Sequence, residues 1–167
     1  MQLFLLILLG IGVLILQSAF PFYLKVAGVK PDLLTAILTL YAFIEGPLPG
    51  ARLGFIYGLM EDILLGRFLG LNTFCRTLNS YLVGYAGQWL NPENPWAPTL
   101  LAFISVWLHY LFLLLPGRLA GFRYPLLPGI VNIIFPTALY TSSLTLILFI
   151  LLRGGVSWKR GRRKAGE

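Results

Sequence analysis

The sequence predicts an all-α integral membrane protein of about six transmembrane helices, and three observations carry that expectation. Of 167 residues, 57% are hydrophobic and only 11% are charged, with a mean hydropathy of +0.81. A soluble domain carries roughly 25% charged residues, because its surface faces water. The apolar residues fall in long runs without period-two alternation, which favours helices over a membrane barrel. Clusters of Pro and Gly separate the runs. In hydrocarbon a backbone amide finds no water, so each crossing segment must bond internally, and about 20 apolar residues suffice for a helix.

The first run covers residues 2–20. No Lys or Arg precedes Leu3 and no small-x-small cleavage pattern follows, so it reads as a retained span and not a removed signal. Pro21 and the stretch Lys25 to Lys30 end it. The second run, 31–45, stops at Gly46-Pro47-Leu48-Pro49-Gly50, and the third, 50–66, stops at Gly66 to Gly70. The fourth, 71–90, meets Asn91-Pro92-Glu93-Asn94-Pro95; the fifth, 98–116, meets the stretch Pro116 to Pro128; the sixth is 128–152. Segments two and three are short, which leaves five spans as the alternative count. None of the connections is long enough to fold by itself.

Residues 153–167 form a basic tail holding six of the thirteen basic residues: Arg153, Lys159, Arg160, Arg162, Arg163 and Lys164. Such a cluster is held on the cytoplasmic side and attracted to anionic lipid. The net charge of +7 is therefore read as topological, with membrane lipid and not nucleic acid as its partner. An even number of spans puts both termini in the cytoplasm. The loops add only a weak bias, since Lys25, Lys30, Arg67, Arg118 and Arg123 would lie outside against Arg52 inside. Trp89, Trp96 and Trp158 flank span ends as interfacial aromatics do.

Small residues mark the helix contacts. Gly50, Gly54 and Gly58 recur at steps of four, continued by Gly66 and Gly70, with Asp62 on the missing rung. Steps of four drift only about 40° around a helix, so these positions make a strip that a neighbour can approach closely. Thr73, Thr77, Ser80, Gly84 and Gly87 make a matching strip on the fourth segment. A hairpin of segments three and four brings the two strips together.

The same hairpin carries charges that lipid rejects. Glu61 and Asp62 stand about one turn before the connection and Arg76 about one turn after it, so an ion pair of Arg76 with Asp62 or Glu61 is expected. Consecutive residues point about 100° apart, so both carboxylates cannot lie on one strip. The pair fixes the register of the hairpin, forms a proton or substrate site, or makes a catalytic dyad, for which consecutive residues on one helix are poorly placed. The remaining reading leaves one carboxylate at the interface with no special task. His109, with Ser105 one turn before it, is read as a hydrogen-bonding residue and not a metal ligand. Asn132, near Pro136, is expected to be a buried polar contact that bridges helices or caps backbone freed by the proline. Cys75 has no second cysteine to pair with and reads as a packing residue. Pro31 suits a first helical position, and Asp32 beside it suits a positive helix end. No phosphate-binding loop, nucleophile elbow or metal-spaced cluster is present, so no cofactor is expected.

Pro31-Asp32-Leu33-Leu34, Gly54-Phe55-Ile56-Tyr57-Gly58-Leu59-Met60-Glu61-Asp62-Ile63, Gly66, Leu69-Gly70-Leu71, Tyr81-Leu82 and Val131-Asn132 together resemble the rod shape-determining protein MreD family. Pro31, Asp32, Gly54, Gly58, Asp62, Gly66 and Gly70 match its pattern. Glu61 departs from it, since an apolar residue is more usual there. The resemblance implies a six-helix fold similar to the membrane S-component of energy-coupling-factor transporters. It also implies a non-enzymatic scaffold of peptidoglycan synthesis in the bacterial cytoplasmic membrane, acting with MreC. MreB, RodA and a penicillin-binding transpeptidase belong to the same machinery. The alternative is a substrate-binding membrane subunit of a vitamin-type transporter, motivated by the embedded Glu61, Asp62, Arg76 and His109. The single alanine of segment one, Ala19, argues against the coupling contact such carriers use.

Overall fold

The structure, a computed structural model, describes residues 2–18, 29–65, 70–119 and 129–153. Within them the chain forms α1 (Gln2–Ser18), α2 (Leu33–Glu45), α3 (Pro47–Leu65), α4 (Leu71–Gly87), α5 (Trp96–Leu119) and α6 (Phe135–Arg153). A π-helical turn, Ile130–Ile134, leads into α6. The expectations for Gly66, Ala19, Trp158 and the basic tail beyond Arg153 fall outside the described residues.

Two stretches, Trp96–Leu113 and Ile130–Leu152, are long and apolar enough by themselves to cross a membrane. Helix α2 is a different object. Its 13 residues reach about 20 Å, short of the roughly 30 Å hydrocarbon core. Leu34, Thr35, Ala36, Leu38, Thr39, Leu40, Ala42 and Phe43 are all buried, which leaves one stripe, Leu33, Ile37, Tyr41 and Ile44, half-buried. A helix buried over most of its circumference sits largely inside its bundle. Helix α2 accordingly packs on α1, α3, α4, α5 and α6.

The two helix-breaking signals around α3 act differently from one another. The proline-rich stretch after Glu45 reads as a loop in the sequence, but Gly46 alone makes the turn, with φ of 97°. Helix α3 begins at Pro47. Pro47 and Pro49 lie in its first turn, where amide hydrogens have no helical acceptor, so two missing donors cost nothing there. In α5 the helix likewise continues past Pro116 to Leu119.

Helices α3 and α4 make the most extensive pairing in the molecule, and the glycine strip explains it. A Cβ on Gly54 would stand 2.6 Å from the Arg76 carbonyl oxygen, and one on Gly58 would stand 2.5 Å from the Thr73 Cα. Gly84 admits the backbone of Gly46 and Pro47 at 2.6 Å, and Gly50 admits Ala42 of α2. The glycines therefore bring backbones together within this chain. That also answers what the strip faces: its contacts are internal. Gly70 is not part of the strip. A Cβ at Gly70 would meet open space, but its φ is 95°, so this glycine serves a backbone conformation that other residues rarely adopt.

The π-helical turn ends where Pro136 begins to act. Proline supplies no amide to the carbonyl four residues back and its ring crowds that carbonyl, which here belongs to Asn132. The turn widens instead, and the Phe135 amide bonds the Ile130 carbonyl. Asn132 itself is exposed, not buried as its sequence context suggested. The widened turn presents its amide outward together with exposed Val131 and Ile133.

Candidate functional site: a buried charge cluster

The first residues of α2 lie deep in the bundle. Asp32 is the N-cap of α2: its Oδ1 accepts the Thr35 amide at 2.9 Å and its Oδ2 accepts the Thr35 hydroxyl at 2.6 Å. The Asp32 amide in turn donates to Thr141 Oγ1 at 2.9 Å. Thr141 is the midpoint of the apolar stretch Ile130–Leu152. Helix α2 thus starts halfway through the longest span, with an acidic side chain at its end.

Arg76 on α4 is 2% exposed and gathers this region. Its Nε and Nη2 grip Glu61 of α3 in a bidentate pair, the Nη2–Oε1 distance being 3.0 Å. Nη1 donates to Thr35 Oγ1 at 3.0 Å, and Nη2 also reaches Asp32 Oδ2 at 3.5 Å. One guanidinium therefore ties α2, α3 and α4 together. The planar fork suits it to this, because two parallel bonds to one carboxylate leave the remaining donors free for another direction. Two carboxylates face one cation. The partial positive charge of the α2 N-terminus, on which Asp32 sits, offsets part of the surplus.

Asp62, the neighbour of Glu61, does something else. Its oxygens accept the amides of Gly70 (2.9 Å), Asn72 (3.1 Å) and Thr73 (2.9 Å). They also accept the Asn72 side-chain amide at 3.0 Å and the Thr73 hydroxyl at 2.6 Å. The N-cap of α4 is Gly70, which has no side chain to satisfy these donors. A carboxylate from the preceding helix substitutes for it. Of the two partners expected for Arg76, Glu61 is the one observed and Asp62 is the cap. The 100° between successive helical residues is what sends the two carboxylates to different tasks.

Further along α4, Asn79 Nδ2 donates to the Ser105 carbonyl of α5 at 3.0 Å. Ser105 and His109 are both buried on α5, at 1% and 5% exposure. Sequence reasoning placed Asp32 at a helix start without connecting it to Arg76, and it did not single out Thr35 or Thr141. The spacing of Asp32 and Thr35 was the available signal, since an N-cap acid three residues before a hydroxyl favours their hydrogen bond. Among the described residues no group of three or more His, Cys, Asp or Glu is placed to hold a metal ion.

The cluster's members lie in the part of the chain matched by a known family. The sequence profile of the family described as rod shape-determining protein MreD covers residues 1–154. The chain belongs to the MreD family. Members of that family are integral membrane, non-enzymatic, shape-determining proteins of cell elongation, and this chain is one of them. No curated protein and no solved structure matches the chain. Asp32, Glu61 and Arg76 all fall within the matched residues.

Proposed function

We propose that this protein is a six-span scaffold of the rod-elongation machinery that acts through MreC, with both termini and the basic tail in the cytoplasm. The observation that carries the reading is the family match over residues 1–154. The engagement of Glu61, Asp62 and Arg76 with protein groups supports a structural role for the charges. In this reading the ion cluster and the glycine contacts set the shape of the bundle, and partners in peptidoglycan synthesis, RodA and the penicillin-binding transpeptidase, assemble around it with MreB below. The fold is proposed to be similar to that of the S-components of energy-coupling-factor transporters.

The test is purification of tagged protein from gently solubilised membranes, followed by mass spectrometry. Recovery of MreC with the elongation synthases supports the scaffold. Recovery of an energising ATPase and its membrane partner in their place sinks it and makes the protein a carrier subunit.

A further inference from the structure

Beside the charge cluster, towards the middle of the bundle, lies a small chamber of about 10 Å³. It is walled by Thr35, Thr39, Arg76, Asn79, Val83 and Ser105, so α2, α4 and α5 all contribute. A volume of roughly 10–15 Å³ on this measure holds one water molecule.

Two of its walls carry buried polar atoms that find no protein partner: Asn79 Oδ1 and Ser105 Oγ. Both residues are more than nine-tenths buried, at 6% and 1% exposure. The orientation of the Asn79 amide is determined, because its Nδ2 must face the Ser105 carbonyl to which it donates. Its oxygen is therefore an acceptor in want of a donor. On the third side is Arg76, whose bonds to Glu61, Asp32 and Thr35 leave one Nη1 hydrogen over.

We infer that one ordered water molecule is a resident of this chamber, donating to Asn79 Oδ1, bonding Ser105 Oγ and accepting from Arg76. The chemistry of the walls selects water over an ion. The occupant must donate to Asn79 and accept from Arg76, which neither a bare cation nor a halide does. A cation would also stand against the guanidinium. An anion would stand near the surplus carboxylate of Asp32 and Glu61. Water satisfies both directions and is the right size. With it, the contact of α5 on the α2–α4 pair is a hydrated joint inside a membrane protein.

Val83→Ile tests this by sign, in the full chain reconstituted in lipid nanodiscs. The variant adds one methylene to an apolar wall of the chamber without touching a polar partner. If water resides there, displacing it orphans Asn79 and Ser105 and the unfolding temperature falls. If the chamber is a dry void, filling it raises the temperature, and the inference is overturned. A density map of the parent at about 2 Å resolution is the second readout, with a peak expected about 2.6–3.2 Å from Asn79 Oδ1 and Ser105 Oγ. That peak must vanish in Val83→Ile. A fall in temperature with no peak in the parent means simple overpacking and overturns the inference, as does a peak that bromide or rubidium replaces in anomalous maps.

Discussion

Arg76 is the residue on which the polar interior turns. Removing it leaves Glu61 and Asp32 buried without their cation, and breaking one partner of a buried pair costs about 3–5 kcal/mol. Arg76→Leu is therefore expected to be severely destabilised in detergent. Arg76→Lys should recover little, since a single ammonium does not reproduce the bidentate grip on Glu61 together with the bond to Thr35. Double-mutant cycles measured by thermal unfolding separate the two acids. The Arg76–Glu61 pair should show coupling of about 2 kcal/mol, within the range for residues in direct contact. The Arg76–Asp62 cycle should give a clearly smaller value, because Asp62 bonds the start of α4 and not the guanidinium. Equal couplings would return Asp62 to the ion pair. Asp62→Ala alone should cost about 1–2 kcal/mol, the usual loss on removing a helix cap.

Between α3 and α4 the question is how near two backbones stand. At Gly54 and Gly58 an added methyl meets backbone atoms at 2.6 and 2.5 Å, and backbone has little freedom to yield. Gly58→Ala should lower stability by about 1–3 kcal/mol through overpacking, despite the better helix propensity of alanine. Gly12 is the control from another helix: nothing lies within 4 Å of its Cβ position, so Gly12→Ala in α1 should be neutral or slightly stabilising. Thermal unfolding of both variants in one detergent checks the pair. A loss at Gly12 as large as that at Gly58 would mean that glycine matters for some reason other than close approach. Helix α2 was legible as a short apolar segment, whereas its place at the centre of the bundle was not. Its run of apolar residues is the same for a helix facing lipid and one facing five neighbours.

Across the whole molecule, the proposed six-span topology, with successive helices alternating in direction, places the α4–α5 connection at the end where α6 finishes, and the start of α6 at the other end. Asn94 and Asn132 are both exposed, and the proposed orientation, with the basic tail inside, puts Asn94 on the cytoplasmic face and Asn132 towards the outer one. Cysteines placed singly at these positions, in a Cys75→Ala background, should label accordingly in intact cells. A membrane-impermeant thiol reagent should reach Asn132→Cys and leave Asn94→Cys unmodified. Reversal of that pattern would invert the orientation, and labelling of both would point to an odd number of spans. The native thiol, Cys75, is buried and would contribute little background in any case.

Composition and the order of apolar runs determined the membrane helices, because water and lipid each accept only one balance of polar and apolar surface. The glycine and small-residue strips determined that α3 and α4 meet, since a four-residue period on a helix is a face whatever surrounds it. The motif string across Pro31, Asp32, Gly54, Gly58 and Asp62 was enough to indicate the MreD family. Only the tertiary structure decided which carboxylate serves Arg76, because that choice depends on the rotation of α3 about its axis. Asp32 joined the cluster for a similar reason: it is 44 residues from Arg76 along the chain, and a separation of that length is bridged by the packing of α2. Asn132 was turned outward by the widened turn before Pro136, a local geometry that neither residue reveals alone.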